Sequence, residues 1–286
     1  MTVTGLTHLA LEVRSLDRAR EFYENRLGLG RERVRRTDRE VAYAVGGSGS
    51  RLVCRRPRAV PRGGVHTHFA FSTTADAYDD WLARCGDLDP VERTFGSYRS
   101  LYVDDPDGHC VEIGTTEGSA GDGDAGDRGD DAEIGDRHDE APGLTGIFEV
   151  VLEVASVERS EAIYRSLGFE VVDRGSDRPR VRLRGPFDLE LWEPHLGIAG
   201  ARGGLHVDLG LASDDPEADA ARIANARDST ASDADVTDAT AAAGALEPID
   251  GGFRVRDPDG HRISIVAGGA DNTGANDADA DDAGAG

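Results

Sequence analysis

Apolar and polar residues alternate strictly in several short stretches of this chain, and each alternating stretch gives way to an amphipathic one of helical period. In THLALEV (7–13), His8, Ala10 and Glu12 fall on one face and Leu9, Leu11 and Val13 on the other, the two-residue period of a half-buried strand. SLDRAREFYENRLG follows, with Leu16, Ala19, Phe22, Tyr23 and Leu27 on one stripe, Ser15 as N-cap and Gly28 as stop; this predicts a helix. A second unit starts at HTHFAFST and leads into its own helical pattern, TADAYDDWLARCG. Short strands fill the rest, and DPDG at 105–108 and 257–260 places Asp, Pro and Gly where a type I turn prefers them.

The pattern is duplicated. LEVRSLDRAREFY (11–23) aligns without a gap to LEVASVERSEAIY (152–164), GGVHTHFAFST (63–73) matches GGLHVDLGLAS (203–213), and the two DPDGH segments match each other. The 286 residues therefore divide into two halves, 1–117 and 143–268, each made of two strand-helix-strands units; this suits domains of roughly 100–200 residues. Between the halves, 118–142 is rich in Gly and Asp with almost no large apolar residue and is expected to be a disordered linker. An Asp/Ala-rich insert at 214–243 is expected to be partly helical, since alanine is a strong helix former, and 269–286 is an acidic tail.

Charge narrows the function classes. The formal net charge is −23, and every basic residue is arginine. The composition resembles that of proteins from extreme halophiles, in which carboxylates keep the surface soluble in high salt. It argues against a nucleic-acid partner, which requires a basic face. Cys54, Cys85 and Cys110 form no C-x-x-C pair and are odd in number, which speaks against a disulfide framework or zinc ribbon and for reducing cytoplasm. No apolar run approaches the ~18 residues of a membrane span, and the N-terminal residues read as a strand, without a charged n-region or cleavage site.

SLYVDDPDGHCVEIG (100–114) sets a single carboxylate, Glu112, between Val111 and Ile113 on a strand. The strand-helix-strands order, the H-x-A-[LF] strand starts and this Y-x-x-DPDG-x-x-x-E ending resemble the vicinal oxygen chelate superfamily, which includes glyoxalases, extradiol ring-cleaving dioxygenases, epimerases and bleomycin or fosfomycin resistance proteins. The resemblance implies an α+β fold of four βαβββ modules paired into two cupped mixed sheets. It also implies a divalent metal held by a His from the first strand of each module and a carboxylate from the last strand of the second. Carried over, these are His8, His68 and Glu112. Two imidazoles and one carboxylate form the facial triad suited to Fe(II) and O₂, with Mn(II) as the other candidate ion.

The matching positions of the second half are Glu149, Asp208 and Ser264, so the resemblance puts the metal in the first half and makes the second a degenerate domain. His66 lies two residues before His68, on the same face of an ideal strand. It is the alternative ligand and, with Tyr102, a candidate catalytic residue. Tyr102 precedes Glu112 by ten residues, as the active-site tyrosine of extradiol dioxygenases does, and a phenol there can hydrogen-bond a substrate oxygen. Related glyoxalases and epimerases use a fourth ligand, at the position of Glu190 in the second half; the first half has Val53 there, which leaves three metal positions open and points to an extradiol-type dioxygenase of a small aromatic diol.

Two features depart from that family. Arg93, Thr94 and Phe95 stand where its acid-base histidine belongs, and His109 recurs as His261 in the half without ligands. Ten arginines in 31–62 form either a solvated outer face or an attractor for an anionic substrate. Cys110 shares the parity of Glu112 and reads as a small buried hydrophobe. The alternative functions are a small-molecule binding or resistance protein and a glyoxalase-like lyase or isomerase, with no nucleic-acid or membrane partner.

Overall fold

The computed structural model describes residues 2–57, 64–115, 143–194, 204–228 and 246–268. The expected linker (118–142), the tail (269–286) and residues 229–243 of the insert lie outside the described residues. Module 1 comprises β1 (Val3–Glu12), α1 (Leu16–Arg20, continued by a π-helical turn over Glu21–Arg26), β2 (Arg33–Arg36), β3 (Glu40–Ala44) and β4 (Arg51–Arg55). Module 2 comprises β5 (Gly64–Thr73), α2 (Tyr78–Arg84), β6 (Val91–Phe95), β7 (Tyr98–Asp104) and β8 (Cys110–Thr115). Module 3 repeats the order with β9 (Gly146–Glu153), α3 (Val157–Ser166), β10 (Glu170–Arg174), β11 (Arg180–Arg184) and β12 (Asp188–Trp192). Module 4 has β13 (Gly204–Ser213), α4 (Pro216–Asp228), β14 (Glu247–Ile249), β15 (Gly252–Arg256) and β16 (Arg262–Ala267). The described part of the insert is thus helical.

Local chemistry sets these boundaries. Ser15 caps α1 by accepting from the Arg18 amide, and Ser156 repeats the device on α3 with Arg159; such caps satisfy an amide that has no helical partner. Gly28 ends the first helical segment at φ 75°, a conformation that favours glycine. Leu9, Leu11 and Val13 of β1 join Ala19, Phe22, Tyr23 and Leu27 in the main core beneath the helices. The opposite face of β1 looks into a cup.

The strands pair across the halves. β1 runs antiparallel to β13, and β5 antiparallel to β9. Modules 1 and 4 therefore share one cup and modules 2 and 3 the other, and the two join where the start of β5 meets the start of β13. The mixed, cupped α+β architecture is the one the sequence implies, but the cups are not closed within each half as expected: the halves exchange partners, and all the described strands join in one hydrogen-bonded sheet. The first strands of all four modules carry nearly the same alternation, so the pattern alone does not dictate which pairs with which.

Candidate metal centre

Register aligns the candidate residues in two rows across the cup of modules 2 and 3. The first row runs Tyr102, Glu112, Ala70, Glu149 and Asp188 across β7, β8, β5, β9 and β12. The second runs His68, Val151, Glu190 and Arg182 across β5, β9, β12 and β11. Partners across a ladder share a face, so all these side chains enter one cup. His68 Nε2 lies 3.2 Å from Glu112 Oε2 and 3.6 Å from Glu149 Oε2. One donor atom from each of the three lies within 4.8 Å of the others, and all three residues are buried.

The electrostatics match a site built around a cation. Burial works to lower the His68 pKa, but contact with Glu112 and Glu149 outweighs it and pushes the imidazole up to about 10. Burial alone would raise the Glu112 carboxyl, yet His68, Ser100 and Tyr102 hold it below the ordinary range. Glu112 Oε2 is buried without a well-angled hydrogen bond, and an unmet buried acceptor of this kind costs about 1–3 kcal/mol. Donors around one ion at ~2.1 Å stand about 3 Å apart when adjacent, close to the spacings observed. The residues present thus fit a divalent ion. Second to desolvation, the charge of Glu149 keeps the Glu190 carboxyl raised; Trp192 Nε1 donates to Glu190 Oε2 at 2.7 Å. Arg182 connects the two glutamates, with Nη2 donating to Glu149 Oε1 at 2.5 Å and Nε lying 3.4 Å from Glu190 Oε1.

The structure does not bring His8 to His68 and Glu112. Because β1 pairs with β13, His8 faces the other cup, and Glu149 of β9 stands in the place foreseen for it. In that other cup His8 Nε2 lies 3.2 Å from Asp208 Oδ2, Ser264 Oγ donates to the same oxygen at 2.7 Å, and Arg254 Nη2 lies 3.7 Å from it. Arg254 is 3% exposed, and its cation serves here as the counter-charge to Asp208, whose carboxyl His8, Arg254 and Ser264 hold well below the ordinary range against the opposing effect of burial. The equivalents of Glu190 and Arg182 are Val53 and Ala42, which form an apolar floor with Ala10. Arg254→Met is expected to cost about 3–5 kcal/mol in urea denaturation, since it strands a buried carboxylate. Adding Asp208→Asn should recover most of that; a single-variant loss below about 1 kcal/mol would contradict this reading.

His66 also turns away from the metal position. The β5–β9 register shifts between His66 and His68, a bulge that sends His66 to the core side, opposite Leu152. There it stacks on His109 and lies 5.6 Å from His206, which stacks on His261. The outer rings bond the Glu12 and Glu153 carbonyls. This sets their Nε2 as donor and Nδ1 as acceptor, so the inner rings donate from Nε2. Gly64 and Gly204 make room: a Cβ at either would meet the Nδ1 of His261 or His109 within about 2 Å.

Tyr102 stays at the centre, its ring edge-on to His68 at 5.5 Å, and Trp192 stands edge-on at 5.8 Å. Burial, then Glu112, raises the Tyr102 phenol well above its ordinary range. Cys110 is buried beside this group. Within 31–62, Arg35 and Arg55 pair with Glu40, and Arg33 with Glu24, which leaves them structural partners on the module 1 sheet. Sequence reasoning missed Glu149, Arg182 and Trp192 as parts of the site. Glu149 had been read as a lost histidine, although a carboxylate at a ligand position is itself a signal.

Comparison with known proteins places this geometry in context. Residues 5–113 match the Glyoxalase/Bleomycin resistance protein/Dioxygenase superfamily. Over 123 residues, 40% of this chain and 84% of the relative, the chain is 29% identical to metallothiol transferase FosB of Lysinibacillus sphaericus. In fold it is similar to glyoxalase I of Zea mays, with a TM-score of 0.57, 16% identity and 92% of each chain covered. It is likewise similar to a candidate dioxygenase of Bacillus subtilis, with a TM-score of 0.61 and 16% identity over 93% of this chain and 86% of that one. At such identity the two structural likenesses speak to fold alone.

Proposed function

We propose, on the premise of the Glyoxalase/Bleomycin resistance protein/Dioxygenase superfamily match over residues 5–113, that the chain is a metal-dependent enzyme of small molecules that moves a proton beside a chelating oxygen, an isomerase or lyase of the glyoxalase kind. The observation that carries this reading is Glu190, a third carboxylate beside the His68, Glu112 and Glu149 group, in register across Val151 from His68 and with its pKa raised by burial and then by Glu149. His68, Glu112 and Glu149 would hold the ion. One imidazole with carboxylates is a harder donor set than two imidazoles with one carboxylate, and favours Mn(II) over Fe(II). When bound, the ion supplies Lewis-acid polarisation of the substrate's oxygens.

The chain's own residues do the rest. Glu190 is the base, because a carboxyl raised by burial accepts a proton more readily than an exposed one. It takes the proton from the carbon bearing one chelating oxygen and returns it to the neighbouring carbon, so one C–H bond is lost, one is gained and no oxidant is consumed. Arg182 fixes Glu149 Oε1 and keeps the two glutamates apart. Tyr102, held in its protonated form, orients Glu112.

A second reading, ring cleavage of an aromatic diol with Fe(II), draws support from the Tyr102 and Trp192 edges on either side of His68, which suit a flat ligand. Offering Mn(II)- and Fe(II)-loaded protein the methylglyoxal thiohemiacetal, and separately catechol in air, distinguishes the two. The expected result is thioester formation without O₂ uptake, with Glu190→Gln losing about 10²-fold or more of turnover while still binding the ion. Oxygen consumption matched to ring-opened product would replace the first reading with the second. Equal ligand binding with and without metal, and no turnover, would make the protein a binding module.

A further inference from the structure

Two donors reach Glu112 from the neighbouring strand. Alternation along β7 turns Ser100 and Tyr102 to the cup, with Ser100 opposite Gly114 and Tyr102 opposite Glu112 on β8. Ser100 is 3% exposed, and a hydroxyl at that depth needs a partner within the protein. Glu112 is that partner: burial would raise its carboxyl, and His68, then Ser100 and Tyr102, hold it low. Gly114 leaves room for the contact. A Cβ at Gly114 would lie 2.9 Å from Ser100 Oγ, 3.2 Å from Glu112 Oε1 and 3.3 Å from Phe148 Cζ, so hydroxyl, carboxylate oxygen and ring tip converge on one point that a residue without a side chain keeps clear. The other carboxylate oxygen, Oε2, is 3.2 Å from His68 Nε2 and has no well-angled hydrogen bond.

The second half supplies an internal control. Gly252, Val266, Ser264 and Arg254 stand in the same register at the positions of Ser100, Gly114, Glu112 and Tyr102. The hydroxyl and the gap opposite it are both absent where the glutamate is absent, which ties the pair to Glu112 and not to hairpin packing as such.

The geometry points to Ser100 as a positioning residue of the metal centre: its hydroxyl holds Glu112 by Oε1 and thereby keeps Oε2 turned to His68 as the oxygen that meets the ion. The inference rests on the metal-enzyme reading above and adds a residue to it. A carboxylate held at one oxygen gives up side-chain freedom before the ion arrives, and groups that orient a ligand in this way are worth about 10–100-fold in metal affinity.

Calorimetric titration of the full-length protein with Mn(II) tests this, with urea denaturation of the same metal-free samples as the measure of fold. Ser100→Ala should lower Mn(II) affinity by about 10–100-fold while the urea midpoint changes little, and Ser100→Thr, which keeps the hydroxyl, should recover most of the loss. Gly114→Ala, at a position outside the left-handed backbone region, should lower affinity at least about tenfold with Ser100 and Glu112 both in place, because its Cβ enters the point at which they meet. Mn(II) affinity in Ser100→Ala within about twofold of wild type, or an equal loss in Ser100→Thr, would overturn the positioning role while leaving the metal centre standing. Wild-type protein that takes up no Mn(II) would remove the metal-enzyme reading and this inference with it.

Discussion

Glu149→Ala is expected to lower divalent-metal affinity by at least about 100-fold, whereas His8→Ala leaves it within about twofold. The contrast follows from strand pairing: Glu149 Oε2 is 3.6 Å from His68 Nε2, while His8 belongs to the cup where Arg254 and Ser264 already occupy Asp208. Outer partners of a metal ligand alone are worth about 10–100-fold in affinity, so loss of a ligand should cost at least as much. Titration with Mn(II) followed by calorimetry reads both variants. Glu112→Ala should behave like Glu149→Ala, and Ser264→Ala like His8→Ala. A variant that unfolds is recognised by circular dichroism, and Glu149→Gln, which keeps the shape, then replaces it in the comparison.

The second large effect concerns acid. His66 and His206 are fully buried, and burial, then the neighbouring rings, keep both imidazoles well below their ordinary pKa. Their folded pKa values lie below the unfolded value of about 6.5. The unfolded chain therefore binds more protons as pH falls below that point, and stability present above pH ~6.5 is lost on acidification. Well below that point two such groups approach a limiting slope of about 2.7 kcal/mol per pH unit, at about 1.4 kcal/mol for each proton. Urea denaturation at pH 7, 6 and 5 should show this steep loss, and His66→Phe/His206→Phe should flatten it. A wild-type slope no steeper than that of the double variant would show that these rings take up protons without unfolding.

Much of the fold is written in short patterns. The alternation in THLALEV, the Ser15 cap and the DPDG turns each act within a few residues, so the sequence reveals them directly. That His68 and Glu112 come together was legible for the same reason: both belong to module 2, and the parallel β5–β8 pairing brings them to one cup. His8 was not, because its place depends on which distant strand β1 meets, and four similar first strands leave that open. Val53 was correctly matched to Glu190, but the two lie in different cups, so the empty position at Val53 says nothing of the centre at His68. The His66 side chain was misread through one extra residue in β5, since a bulge reverses the face that strict alternation assigns. Arg182 was hidden because its role depends on the β9–β12–β11 register, which joins Glu149, Glu190 and the guanidinium only once the sheet is formed.

The central claim is that a single metal centre is shared by the two halves of the chain. Anomalous diffraction from crystals of the full-length protein grown with Mn(II) tests it most directly. The expected map holds one strong peak in the cup of modules 2 and 3, bonded to His68 Nε2 and to carboxylate oxygens of Glu112 and Glu149. A peak bonded to His8 and Asp208 instead, with the His68 cup empty, would contradict it.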